Sequence, residues 1–289
     1  MSLVVDSITK RFGDVVALDG ASFSVEPGRI FGLLGANGAG KTTSMRIVLD
    51  ILRADAGTVT WKGTENTALP RRTWGYLPEE RGLYPRMKVG EQLRFFASLY
   101  GVPDADASRE IGEWLDRFRI PDYLDRKVEE LSKGNQQKIQ FIAAILHDPE
   151  VLIMDEPFSG LDPVNVRLLK EAFGEMRDRG KTLIFSTHQM EQVEELCESI
   201  AIVDRDAHLA AGRENALHAR DVAVVIGAPD VDELVEAAVE LLGDVADVAG
   251  EVGRLAVGPI DHPVLVVPEG RRSEPGRSLV LVDVTGLAE

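Results

Sequence analysis

Residues Gly35, Ala36, Asn37, Gly38, Ala39, Gly40, Lys41 and Thr42, followed by Thr43, match the pattern G-x-x-x-x-G-K-[ST]. The chemistry of that pattern is phosphate binding. Glycines let successive backbone N–H groups turn toward an anion, and the helix start that follows favours negative charge. Lys41 can reach terminal phosphates, and the Thr42 hydroxyl can hold Mg2+. A Gly-rich turn with a chance lysine is the competing reading. The apolar run RIFGLL before the loop and the helical run after it argue against that.

A second stretch, VLIMDEP at residues 151–157, is an apolar strand that ends in two acids. Asp155 there can supply a carboxylate to Mg2+ beside a phosphate loop. Glu156 can polarise an attacking water as general base. Alone, the stretch also reads as a core strand ending in solvated acids. Its co-occurrence with residues 35–42 favours the metal reading. His188 follows the apolar run TLIFST, at the strand edge where α/β sheets bind ligands. A third stretch, LSKGNQQK at residues 131–138, leads into the helical run FIAAIL. By itself it is a helix start, and a helix start can also form half of a phosphate site.

Positioning these groups requires strands that end at a common edge and helices that begin there. The chain alternates in that way. LVVDSITKRF and GASFSVEPG read as strands, RIFGLLG as a buried strand, and KTTSMRIVLDIL as a helix with Met45, Val48, Leu49 and Leu52 at helical spacing. GTVTWKG reads as a short strand pair. Residues from about 80 to 148 read as mostly helical, an insertion. After VLIMDEP come a helix over PVNVRLLKEAFGEMRDRG, the strand KTLIFSTH, the helix QMEQVEELCES and the strand SIAIVD. This pattern predicts an α/β fold with a largely parallel sheet.

The chain has 289 residues and a net charge of −16, which disfavours a nucleic-acid partner bound through a basic surface. Its single cysteine, Cys197, excludes an internal disulfide framework. The expectation is a chain without a membrane-spanning segment or a signal peptide. Composition shifts past about Gly212. Residues 213–289 have no Lys and no aromatic residue, and their 15 acids against six bases supply more than half of the net charge. An amphipathic helix at PDVDELVEAAVELLG and strands at DVAVVIG, HPVLVVP and SLVLVDV suggest a small α+β domain there. The acids Asp230, Asp232, Glu233, Glu236 and Glu240 read as a solvated helix face rather than a metal site.

In order and content these motifs resemble the ATP-binding cassette (ABC) family, the nucleotide-binding subunits of ABC transporters. The resemblance covers residues 1 to about 212. LSKGNQQK stands where the family has LSGGQ, Ser159–Asp162 resembles the D-loop, and His188 the switch histidine. Phe12 stands at the aromatic position that stacks on adenine. YLPEERGLYPRMKV and LSKGNQQK are similar to the branch of sodium-efflux and related export ATPases. The resemblance implies a P-loop NTPase core with an antiparallel β subdomain and a helical subdomain, joined to a C-terminal accessory domain at 213–289. It implies ATP and Mg2+ as cofactors, with Glu156 and His188 catalytic. ATP would contact Phe12 and residues 35–43, and the metal Thr42, Glu79 and Asp155. Ser132, Lys133, Gly134, Asn135 and Asp162 would act in trans, in an ATP-dependent homodimer or a heterodimer. The partner implied is a separate membrane permease, and the place is the cytoplasmic face of the membrane. A soluble ABC ATPase with a regulatory or remodelling role is the alternative.

Two departures from the family pattern matter. Glu79 stands at the Q-loop glutamine position; its carboxylate can offer oxygen to Mg2+ but, when ionised, cannot donate a hydrogen bond. Lys133 replaces a signature glycine and Asn135 the signature glutamine. Lys133 either adds positive charge to the site or points to solvent, as surface lysines usually do.

Overall fold

The computed structural model describes residues 2–80, 82–203, 210–212, 223–224 and 280–281. In chain order the elements are β1 (Leu3–Phe12), β2 (Val15–Val25), β3 (Ile30–Leu34), α1 (Lys41–Val48), β4 (Ala56–Trp61), β5 (Thr64–Glu65), β6 (Trp74–Leu77), α2 (Val89–Leu99) and α3 (Asp104–Arg117). They continue with α4 (Lys133–Ile145), β7 (Val151–Met154), α5 (Pro163–Asp178), β8 (Thr182–Thr187), α6 (Met190–Leu196), β9 (Ser199–Ile202), β10 (Ala210–Gly212), β11 (Ala223–Val224) and β12 (Val280–Leu281). The described residues fall into two compact units. One takes in residues 1–25, 31–66 and those from 188 onward; the other takes in residues 26–30 and 67–187.

In the first unit, β2, β1, β4 and β5 form an antiparallel sheet in that order. Leu3, Val5 and Ile8 of β1 face inward. The step from Val5 to Ile8 breaks the two-residue alternation. A register shift absorbs the extra residue, with Ser7 at φ 51 and its N–H held by the Ser22 hydroxyl at 2.7 Å. Elsewhere in this unit β3 pairs with β9 in parallel, from Phe31 opposite Ser199 to Leu34 opposite Ile202. All five residues of β3 are buried, as a strand covered on both faces requires. Gly32 leaves room for the Cys197 sulfur, which a Cβ would approach to 2.9 Å. β11 and β12 pair antiparallel. The other expected C-terminal elements, including the helix over 229–243, lie outside the described residues.

The second unit holds β8, β7 and β6 side by side, all parallel. Its core is an aromatic cluster. Phe141 of α4 stacks on Phe173 of α5 at 5.9 Å, and Phe158 meets Phe185 edge-on at 5.7 Å. Trp114 and Phe118 close the cluster from α3. Each buried ring stabilises the unit by roughly 1.5–3 kcal/mol relative to an exposed one.

Two elements differ from the sequence reading. Trp74–Leu77 is a strand that its four residues, with a glycine among them, did not announce. A Cβ at Gly75 would collide with the Ala144 carbonyl, so glycine lets α4 lie close on β6. Helix α1 stops at Val48 although apolar spacing continues to Leu52. Asp50 turns to φ 52, and the N–H groups of Ile51 and Leu52 both fold back to the Arg46 carbonyl.

Candidate functional site

The first unit carries Phe12, residues 35–43 and His188. The loop leaves β3 at Gly35 and enters α1 at Lys41. At Gly35 a Cβ would run into the Val203 carbonyl. At Gly40, the residue capping α1, φ is 106, and a Cβ would lie 2.7 Å from the Ala17 carbonyl oxygen. Both positions therefore need glycine. With Gly40 as its cap, α1 has no side-chain cap and no acid in its first turn. No side chain of its own cap or first turn offsets the positive end of its dipole. Ala36, Asn37 and Gly38 form an exposed tip, and Thr42 and Thr43 are half-buried. Lys41 is buried to 6 % exposure, and its ammonium donates to the carbonyls of Gly35 at 2.5 Å and Ala36 at 3.1 Å. It thus lies across the loop it follows. Phe12, at the end of β1, is 49 % exposed, beside exposed Val15 and Val16. An aromatic ring held out of the core is available for stacking. His188 is exposed at the end of β8.

The second unit carries Glu79, Ser132–Asn135, Asp155, Glu156 and Asp162. Asp155, 2 % exposed, leaves β7 with its N–H bonded to the Leu77 carbonyl at 2.8 Å. Its carboxylate accepts from the Ser186 hydroxyl at 2.6 Å. Glu156 has φ 47, and its N–H donates to the same Ser186 oxygen at 2.9 Å. Phe158, two residues on, anchors the turn in the aromatic core.

Ser132 caps α4, accepting from the Asn135 N–H at 3.3 Å, and Asp162 caps α5, accepting from the N–H groups of Val164 and Asn165 at 3.0 Å each. These N–H bonds hold the Asp162 carboxyl below the usual carboxylate range. The two helix starts are adjacent, because buried Gly134 packs against the Asn165 amide, which in turn donates to Asp162. The first turn of α4 contains no acid. Lys133 is exposed, which both of its readings allow in a single copy, and Asn135 donates to the Tyr123 hydroxyl at 3.3 Å. Glu79 is exposed in a loop held at both sides by Gln140 of α4, which donates to the carbonyls of Pro78 at 3.0 Å and Glu80 at 3.3 Å. Gln137, one turn earlier, donates to the Pro157 carbonyl at 3.0 Å.

The metal candidates are hard oxygen donors only: a hydroxyl at Thr42 and carboxylates at Asp155 and Glu79. Among the described residues no group of three or more His, Cys, Asp or Glu side chains could hold an ion by itself. That set suits Mg2+, which binds through one or two carboxylates together with substrate phosphates. Sequence reasoning missed Ser186, Gln137 and Gln140. The signal for Gln140 was a lone glutamine between Ile139 and Phe141, and for Ser186 a hydroxyl within the apolar run before His188; Gln137 lies in the polar stretch NQQK and gave none.

Comparison with known proteins agrees with this geometry. A family model described as ABC transporter matches residues 18–159. The chain is 54 % identical over 211 residues to the uncharacterized ABC transporter ATP-binding protein YhaQ of Bacillus subtilis, a match covering 73 % of this chain and 71 % of that protein. It is 37 % identical over 220 residues to the Nod factor export ATP-binding protein I of Paraburkholderia xenovorans, covering 75 % and 72 %. Among solved structures, an ATP-binding subunit of an ABC transporter superposes with a TM-score of 0.68 at 30 % identity, over 74 % of this chain and 90 % of that one. A phosphate loop at the start of an uncapped helix, and an acid pair at the end of a buried strand, define a P-loop ATPase. The chain belongs to the ABC transporter family. It is an ATP-binding subunit of that family, and it binds and hydrolyses ATP.

Proposed function

We propose that this subunit powers export through a separate membrane permease, working as an ATP-dependent homodimer at the cytoplasmic face of the membrane. One observation carries the proposal. Among the described residues, α1 behind the phosphate loop and α4 behind Ser132 both start without an acid in the first turn, so one copy can supply both halves of a shared anion site. The likeness to a Nod factor export protein supports the export direction. No helix among the described residues is long and apolar enough to cross a membrane, which supports a separate permease.

In this reading Phe12 stacks on adenine, and Gly35, Ala36, Asn37, Gly38, Ala39, Gly40 and Thr43 wrap the phosphates with backbone N–H groups. Lys41 meets the terminal phosphates as a point charge. Mg2+, when bound, neutralises phosphate charge and polarises the bond to be broken. Thr42, Asp155 and Glu79 hold it. Glu156 takes the proton of the attacking water, and His188 steadies the terminal phosphate. Ser132, Lys133, Gly134, Asn135 and Asp162 close over the nucleotide of the second copy. Residues 1–212 serve as the cassette, with its helical part at about 80–148. Residues 213–289 serve dimerisation or regulation.

The test is Glu156→Gln. The variant is expected to bind ATP, to elute as a dimer with ATP, and to lose about 10²–10⁴-fold in hydrolysis. Hydrolysis at the wild-type rate rules out Glu156 as the base. An ATP-loaded variant that stays monomeric rules out the shared site.

A further inference from the structure

We propose that Ser186 is a positioning residue for hydrolysis, a single buried hydroxyl that sets both the Asp155 carboxylate and the Glu156 backbone. This rests on the reading of Asp155 as the metal carboxylate and Glu156 as the base.

The geometry uses a hydroxyl in both of its roles, as a donor and as an acceptor. Ser186 Oγ donates to Asp155 Oδ1 at 2.6 Å, a short distance typical of a bond to a charged acceptor. The same oxygen accepts the Glu156 N–H at 2.9 Å. Ser186 has 0 % exposure and lies in β8, all six of whose residues are buried, so water cannot replace it. Its place in the strand is fixed by the parallel ladder with β7, which pairs Met154 with Phe185. The hydroxyl therefore has a rigid base.

Both of its partners need holding. Glu156 stands at φ 47, a region that a residue with a Cβ seldom occupies and that persists only where neighbours impose it. Its N–H is tied from one side by Ser186, and the next carbonyl, that of Pro157, is tied from the other by Gln137 at 3.0 Å. The backbone angle of Glu156 decides where its carboxylate is aimed. Asp155, for its part, is a buried carboxylate, and the donor on one oxygen sets how the other is presented. Because one atom serves both, the orientation of the metal carboxylate and that of the base are fixed relative to each other.

The experiment uses the full-length chain with Ser186→Ala, and Ser186→Cys as a variant of similar shape with a weaker donor. Two readouts are taken: kcat and KM for ATP, and fluorescence titration of nucleotide binding with Mg2+ and with EDTA. Expected for Ser186→Ala are unchanged binding in EDTA, a higher Mg2+ concentration for half-maximal Mg2+-dependent binding, and kcat lower by about 10–100-fold with KM less affected. Ser186→Cys should fall between. Wild-type kcat with wild-type Mg2+ dependence overturns the proposal, and a shift in one readout without the other overturns the shared lock. Should Ser186→Ala not fold by its melting curve, Ser186→Cys is decided by the same two readouts. Glu156→Gln separates the layers: if it is inactive while Ser186→Ala is wild-type, this inference alone fails, and if it is active, the reading beneath it fails too.

Discussion

Replacing Gly134 by alanine separates stability from function in a calculable way. Gly134 is the second residue of α4 and buried. An alanine Cβ there would lie 2.5 Å from Asn165 Nδ2 and 3.1 Å from its Cγ. Ordinary packing distances begin near 3.5 Å, so the amide must withdraw by about 1 Å. It can do so only by leaving Asp162, to which it donates. Asp162 is exposed, so water takes over most of what that bond supplied. Against the small remaining loss, alanine gains about 1 kcal/mol over glycine in a helix. The melting temperature should therefore stay within about 2–4 °C of wild type. Function should not survive so well. The displaced amide lies between the starts of α4 and α5, the surface assigned to the second copy's nucleotide, and a misplacement of about 1 Å can cost about 10²-fold in rate. A coupled ATPase assay beside a thermal melt and ATP-dependent gel filtration measures all three. Wild-type hydrolysis would refute the role given to the Gly134–Asn165 approach. A melting temperature lower by far more than this range would show that backbone, not the amide, gives way.

Two further outcomes follow from single side chains. Phe12→Ala removes a half-exposed ring that lies under the Lys10 ammonium at 5.7 Å, so stability should fall by no more than about 1 kcal/mol, while ATP affinity falls roughly 5- to 150-fold if stacking supplies about 1–3 kcal/mol; unchanged affinity in a nucleotide titration would remove Phe12 from the adenine site. His147 is 3 % exposed, its Nε2 lies 2.9 Å from the Trp74 carbonyl, its ring stacks on Tyr100, and its Nδ1 is buried without a partner. Burial holds its pKa below the ordinary 6.5, the Trp74 bond and Asp148 opposing and Arg72 and Lys181 assisting. As pH falls through 6.5 the unfolded chain takes the proton first, so the contribution to stability is complete above that value and declines as pH drops toward the folded pKa. Urea midpoints at pH 7.5 and 5.5 should show a larger acid loss for wild type than for His147→Gln, and equal losses would contradict the assignment.

The phosphate loop, the acid pair and the signature were legible because each is a contiguous stretch whose spacing states its own chemistry. Phe12 needed only a position in a strand. What sequence did not reveal was long-range closure. Ser186 meets Asp155 across 31 residues, and Gln140 meets Pro78 across 62. No local pattern announces such a pairing. The strand Trp74–Leu77 was hidden for a related reason, since its glycine answers to the approach of α4 and not to its own strand. The end of α1 was misplaced because apolar spacing outlasts the helix, and the turn at Asp50 is set by backbone bonds, not by side-chain type.

Helix α4 shows why LSKGNQQK holds more than a helix start. Within two turns of Ser132, Gln136 donates to the carbonyls of Val128 and Leu131, both at 3.1 Å, Gln137 to that of Pro157, and Gln140 to those of Pro78 and Glu80. These carbonyls belong to the lead-in to the signature, the turn after Glu156 and the loop carrying Glu79. An apolar residue at any of the three positions would satisfy the helix but remove these donors; Val128 would keep the Leu131 N–H at 3.1 Å, and a carbonyl left with no donor costs about 1–3 kcal/mol. A carboxylate would offer the wrong polarity. Glutamine is long enough to reach past the helix surface and donates without bringing charge into the core. The same helix that presents Ser132 outward therefore sets the frame for Glu156 and Glu79, and the polar residues that look out of place in its sequence are the ones that do so.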